Sequence, residues 1–245
     1  MPQTVQHIGA SAFYGTALKK VNVPALVTKF TYEVAGATKT ASSLGATIFN
    51  NCKSLEEVTI AAGSAMGSQM FDNCTALTKV TIGEGVTLGA SAFKGCKALT
   101  DVTLPEDLTA LPNYVFQNCA ALTTLDIPDT VSSIGTNALS GTAITSVKIP
   151  TAITALGTAS SCSAFSGMEY LTEIVFHDNL TLIGASAFSN CPALTSVTIP
   201  ASVTTIGKSA FASCTGLTSV TFAEGMALIT SLIFLFAKRK KYGYL

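Results

Sequence analysis

Residues 183–200 read Ile-Gly-Ala-Ser-Ala-Phe-Ser-Asn-Cys-Pro-Ala-Leu-Thr-Ser-Val-Thr-Ile-Pro, and 23 residues later Ile206 to Phe222 repeat them as Ile-Gly-Lys-Ser-Ala-Phe-Ala-Ser-Cys-Thr-Gly-Leu-Thr-Ser-Val-Thr-Phe. The rest of the chain is variation on this unit. Phe13, Phe49, Phe71, Phe93, Phe116, Phe165, Phe188, Phe211 and Phe234 mark successive copies, and Leu139 stands in for Phe once. Most steps are 22 or 23 residues, with longer ones of 36 from Phe13 to Phe49 and 26 from Leu139 to Phe165.

Within a unit, Val197 and Ile199 alternate with Ser196 and Thr198, the pattern of a short strand with one buried face. Prolines such as Pro105, Pro128, Pro150 and Pro200 follow the strand and end its pairing, because proline has no N–H to give a ladder. A second apolar pair (Val203 and Ile206) comes next, then a glycine at the corner, where either a special backbone angle or a close approach excludes a Cβ. The Ala-Phe-x-x-Cys segment then returns on the outer side, and its spacing of three predicts a helical turn with Phe and Cys both facing inward.

A period in the 20s with the spacing Leu194-x-x-Val197-x-Ile199, found also at Leu55, Leu77, Leu99 and Leu122, is the signature of a leucine-rich repeat. One such coil cannot bury its apolar face alone, whereas stacked coils can. The reading is an α/β leucine-rich repeat solenoid. Its parallel sheet lies on the concave side, with short helical turns or irregular segments outside. One domain over residues 1–245 would hold about ten coils, with a sheet ~45 Å long at ~4.8 Å per strand. The long motif Ile-Gly-x-x-Ala-Phe-x-x-Cys-x-x-Leu-x-x-Val-x-Ile-Pro resembles the BspA-like (treponemal-type) leucine-rich repeat over nearly the whole chain. That resemblance implies a surface or secreted protein of a host-associated bacterium or parasitic protist, adhering to host matrix or cell-surface proteins.

Composition fits a thin solenoid: 48% of residues are hydrophobic, only 11% are charged, and the formal net charge is zero. No basic stripe suits nucleic acid and no acidic tract suits cations. Six cysteines (Cys52, Cys74, Cys96, Cys119, Cys191, Cys214) stand three residues after the anchor position and form a column. They read as small buried thiols. Disulfides between coils are not expected, because the outer corners of a curved solenoid splay, and no Cys-x-x-Cys suits zinc. Cys162, off the column, is expected to be the exposed one.

The outward strand positions form the candidate partner-binding face: Glu57, Thr59, Lys79, Thr81, Asp101, Thr103, Thr124, Asp126, Ser146 and Lys148. Threonine is a good strand former, so the same column also reads as mere solubilisation of the sheet. Lys20, Asn22, Glu173, Val175, Ser196, Thr198, Ser219 and Thr221 continue it. The column carries no Trp, Tyr or Arg, the usual anchors of tight interfaces, which predicts weak or multivalent binding. An insertion at about residues 27–43 reads as a strand and turn, either a recognition loop carrying Phe30 and Tyr32 or a tolerated surface insertion. A second insertion, Thr158 to Ser163, is small and polar.

At the C-terminal end, residues 223–237 keep the register through Ile229 and Phe234 and read as a degenerate last coil, followed by a basic tail, 238–245. The apolar run Ala227–Ala237 is shorter than the ~20 residues that a span takes. Membrane insertion is therefore not expected, and an exposed edge there would favour an edge-to-edge homodimer. No export signal precedes the first coil in this chain. No catalytic elbow, zinc-protease motif or acid/base pair is present, so an enzyme is not expected and no cofactor is implied. The readings are a non-catalytic adhesion module at the cell surface or secreted and, as an alternative, an intracellular interaction scaffold.

Overall fold

The structure is a computed structural model that describes residues 8–23, 30–34, 37–41 and 45–225, and all that follows refers to those. The repeat closes into stacked coils, each contributing strand to parallel ladders. On the main face, β1 (Lys20–Val23), β4 (Glu57–Ile60), β5 (Lys79–Ile82) and β6 (Asp101–Thr103) pair in that order. Farther along, β9 (Ser146–Lys148) pairs with β11 (Glu173–Val175), and β13 (Ser196–Ile199) with β15 (Ser219–Phe222). The register is coil on coil, with Val58 beside Val80 and Val197 beside Val220.

The expected unbroken sheet is therefore three paired blocks. The first gap falls at Thr124–Ile127, which alternates outward and inward without forming a ladder. In that coil the inward residue is Leu125, where the other main-face strands carry Val or Ile, and a residue not branched at Cβ is the poorer strand former. The second gap separates β11 from β13. A second ladder that the sequence reading did not include runs along another side, built from two-residue strands. In it β7 (Ala110–Leu111) pairs with β8 (Ser133–Ile134), and β10 (Ala155–Leu156), β12 (Leu182–Ile183) and β14 (Thr205–Ile206) pair in series. This ladder bridges the second gap. Turns link the two ladders: the carbonyls of Pro105, Pro128, Pro150 and Pro200 accept from Leu108, Val131, Ile153 and Val203.

The outer side holds no helix among the described residues, so the fold is a β-solenoid rather than α/β. The reason is local. Residues two before and two after each anchor take positive φ, for example Gln69 (55°) and Asn73 (59°) around Phe71, and Ser186 and Asn190 (both 57°) around Phe188. A right-handed helix cannot hold two left-handed residues four apart. The backbone instead alternates between short turns, such as Cys74 N–H to Phe71 carbonyl (3.3 Å), and bonds to the next coil, such as Phe71 N–H to Ala92 carbonyl (2.8 Å).

Phe and Cys do both point inward, as expected. Phe49, Phe71, Phe93, Phe116, Phe165 and Phe188 are fully buried. Their rings stack in parallel from Phe13 through Phe116 and again from Phe165 through Phe211, with centroids 5.2–5.6 Å apart. Leu139 divides the two stacks. Most corner glycines serve close approach rather than a special angle: a Cβ on Gly67 would run into the carbonyl oxygen of Gly45, whereas Gly157 combines a φ of 75° with close approach to Cys162.

The insertion forms a separate antiparallel hairpin of β2 (Phe30–Val34) and β3 (Ala37–Ala41), with Phe30 opposite Ala41 and Val34 opposite Ala37. The expected last coil, the basic tail and the apolar edge proposed for dimerisation lie outside the described residues.

Candidate functional site

Two columns of outward side chains cross the first block of the main face, and strand register places them. Lys20, Glu57, Lys79 and Asp101 stand side by side, one per strand. Their charges alternate, so neighbours neutralise each other: Lys20 pairs with Glu57, and Lys79 with Asp101 at 3.1 Å. The Lys20 bond holds the Glu57 carboxyl below the usual carboxylate range, and Glu57 raises Lys20 in return. The second column is Asn22, Thr59, Thr81 and Thr103. The structure thus brings Glu57, Thr59, Lys79, Thr81, Asp101 and Thr103 into one contiguous patch.

The other four predicted contacts are arranged differently. Thr124 and Asp126 are exposed but sit in the gap between blocks. Ser146 and Lys148 open the second block, where the Ser146 hydroxyl donates to Glu173 at 3.1 Å. Lys148 turns to Asp129 at 2.8 Å, a carboxylate that also accepts from the Thr151 N–H at 3.0 Å. These two bonds hold Asp129 below the usual carboxylate range, the Lys148 bond being the larger influence. Asp129 was not singled out in the sequence, where it looks like one more turn residue. The side chains of Phe30 and Tyr32 lie outside the described residues, so only the hairpin backbone that carries them is defined.

Two exposed apolar side chains belong to or flank β11: Val175, which the sequence reading placed in the outward column, and Tyr170, which it did not include. Val175, 43% exposed, interrupts the hydroxyl column between Lys148 and Thr198, and Tyr170, 58% exposed, sits at the corner leading into β11. The signal for Tyr170 was present in the sequence: the same corner carries Ala76, Ala98, Ala121, Ala193 or Gly216 in other coils.

Behind the face, the cysteine column is buried and unpaired by disulfides. Each thiol donates to the carbonyl of the anchor Phe one coil back: Cys52 to Phe13 at 3.0 Å, Cys74 to Phe49 at 3.1 Å, Cys96 to Phe71 and Cys119 to Phe93 at 3.2 Å, Cys191 to Phe165 at 3.4 Å, and Cys214 to Phe188 at 3.1 Å. Burial pushes the Cys74 and Cys119 thiols up to about 12 and Cys96 well above its ordinary value, so these three are inert at neutral pH. Thr16 and Thr142 replace cysteine in two coils and donate within their own coil, to the Phe13 and Leu139 carbonyls, and Thr16 Oγ1 also bonds to Cys52 Sγ of the next coil at 3.4 Å. Cys162 is half-buried rather than exposed. Among the described residues, no three or more His, Cys, Asp or Glu side chains gather where they could hold a metal ion, and no helix is long and apolar enough to cross a membrane.

Comparison with known proteins places this geometry. The BspA type leucine rich repeat region matches in six copies over residues 1–40, 42–162 and 158–242. Among solved structures, a leucine-rich repeat protein of T. pallidum is 23% identical with a TM-score of 0.58, covering 73% of this chain and 78% of its own. One from Eubacterium ventriosum is 30% identical with a TM-score of 0.48, and the match covers 59% of this chain and 36% of that one. Among curated proteins none matches.

Proposed function

The chain belongs to the BspA-type leucine-rich repeat family, and from that premise we propose that it is a non-catalytic protein-binding module, an adhesion element at a cell surface or in the secreted fraction. Leucine-rich repeat proteins bind protein partners, and the observation that carries the reading here is the strand face itself. It offers an ordered, exposed, charge-balanced surface over β4–β6, continued by Ser146 and by the exposed Val175 and Tyr170 toward β11. A partner would meet hydroxyl and amide-sized groups at strand spacing, with few full charges to desolvate because Glu57, Lys79 and Asp101 already have ionic neighbours. Such contacts favour modest single-site affinity and repeated engagement. Tyr170 supplies the aromatic anchor that the strand columns lack.

The surface placement rests on the family resemblance, and an intracellular scaffold would use the same face. The test is binding of the purified chain to immobilised fibronectin and fibrinogen and to epithelial cells, beside a variant carrying Thr59→Arg and Thr103→Arg. Both positions are exposed and outward, so long charged side chains there obstruct docking without disturbing the core. Saturable binding that the double variant loses supports the proposal. No binding to any of the three, or binding that the variant keeps in full, overturns it. Cell fractionation and surface protease accessibility separate the surface reading from the scaffold.

A further inference from the structure

The cysteine column divides into two sets. Cys52, Cys74, Cys96 and Cys119 follow one another and are all fully sealed, at 0% exposure. Thr142 and Met168 then occupy the column position in two successive coils, which isolates Cys191 and Cys214 as a pair. Within that pair the coils are in register, Val197 beside Val220, and the rings of Phe188 and Phe211, three residues before each cysteine, stand 5.4 Å apart. Just before the two cysteines the Asn190 N–H bonds to the Ala212 carbonyl at 2.7 Å, so the backbones stand at strand-pair spacing, ~4.8 Å, inside the Cα window of ~4.4–6.8 Å that a disulfide requires. All seven cysteines are free, as expected from sequence, but at this pair the coils are close enough for a bridge to form.

Three further features distinguish this pair. The Cys191 thiol makes the longest carbonyl bond of the column, 3.4 Å, so it is the least committed to its anchor. Cys214 is the most exposed of the six, at 8%, against 0% for Cys191. The neighbouring Cys191 thiol holds Cys214 below the ordinary thiol value against the opposing effect of burial, while Cys191 itself is raised. Thiolate character together with access is what makes a cysteine reactive toward oxidants.

We propose that Cys191 and Cys214 are a redox-responsive pair that closes to an inter-coil disulfide when the protein meets hydrogen peroxide, while Cys52 to Cys119 stay reduced. In the first step the Cys214 thiolate attacks one peroxide oxygen. The O–O bond breaks, a sulfenic acid forms on Cys214, and hydroxide leaves to become water on protonation. In the second step the Cys191 sulfur attacks the Cys214 sulfur. The S–S bond forms, the S–O bond breaks, and the departing hydroxide takes the Cys191 proton as a second water. Two thiols are oxidised to one disulfide and one peroxide is reduced to two waters. The bridge staples the coils of β13 and β15 together at the end of the second ring stack.

The test treats the folded chain with hydrogen peroxide, blocks remaining thiols with N-ethylmaleimide after denaturation, and maps chymotryptic peptides by mass spectrometry. The expected product is a Cys191–Cys214 cross-link lighter by two hydrogens, reversed by dithiothreitol, and roughly tenfold more abundant than any link among Cys52, Cys74, Cys96 and Cys119. In Cys191→Ser, the expected product is a Cys214 sulfenic acid trapped by dimedone. In Cys214→Ser, Cys191 stays fully alkylatable. The wild-type measurement stands even if a variant fails to fold. The proposal is overturned if the wild type keeps both thiols free under oxidation that modifies Cys162, or if links among the sealed cysteines form equally.

Discussion

Phe71→Ala tests the stacked core at its centre. The ring is fully buried and lies between Phe49 at 5.2 Å and Phe93 at 5.5 Å. Truncating a core Phe costs ~3–5 kcal/mol, the spread reflecting how far the site can collapse. Here collapse is opposed on both sides. The Phe71 N–H is bonded to Ala92 in the next coil, and its carbonyl accepts from the Cys96 thiol. The loss should therefore fall in the upper half of that range, within which the two ring contacts account for ~0.5–1.5 kcal/mol each. Against the ~5–15 kcal/mol of a typical domain this is a large fraction. Urea unfolding followed by far-UV circular dichroism measures it. A double-mutant cycle sharpens the test. Phe71→Ala with Phe93→Ala should couple by ~0.5–1.5 kcal/mol, whereas Phe71→Ala with Phe188→Ala, across the Leu139 break, should be additive within ~0.3–0.5 kcal/mol. A total loss under ~1 kcal/mol, or equal coupling to Phe93 and Phe188, would refute the stacked-coil reasoning.

Other positions probe other parts of the coil. Gly67→Ala forces a Cβ against the Gly45 carbonyl, and overpacking against backbone should lower stability by ~1–3 kcal/mol, read as a fall in Tm. Asp72 is buried with one carboxylate oxygen unpartnered, and burial pushes its pKa up, Lys94 offsetting this only in part. The folded state therefore favours the protonated acid. That contribution is fully present below the ordinary aspartate value and is lost as pH rises through the raised one. Asp72→Asn should flatten this part of the profile, gaining on the wild type in Tm between about pH 3 and pH 7, and an unchanged difference between the two proteins across that range would count against it. Lys79→Glu sets a third acid between Glu57 and Asp101. It should cost ~0.2–1 kcal/mol per like-charge neighbour, recovering in ~1 M salt, where the Debye length shrinks to ~3 Å.

Much of this architecture was legible because one constraint repeats. Phe at a fixed phase, Leu-x-x-Val-x-Ile after it and Cys three residues on could be assigned to the interior from spacing alone, and those side chains are buried. Of the two outer-side alternatives, short helical turns or irregular segments, the helical one is not found among the described residues, because inward spacing of three fits a tight turn as well as a helix. The discriminating signal was Gly or Asn two residues after most anchors (Gly15, Asn51, Asn73, Gly95, Asn118), residue types that tolerate positive φ. The partner residue two before the anchor is usually Ser, which announces nothing. The gap at Thr124–Ile127 was visible only as Leu125 among β-branched neighbours. On the candidate face, outward positions and their order followed from alternation. The ion pairing did not, because which charges meet depends on coil-to-coil register, and neither did the Asp129 link from one coil to the next.

The central claim is that the strand face, and not the outer turns, is the surface that touches partners. Placing a photo-cross-linking amino acid at Thr59 on the strand face or at Ser68 on the outer turn, then illuminating each protein on fibrinogen, fibronectin and epithelial cells, tests it directly. The account predicts adducts from the Thr59 position and none above background from Ser68. Adducts from Ser68 alone, or from neither position on all three targets, would contradict it.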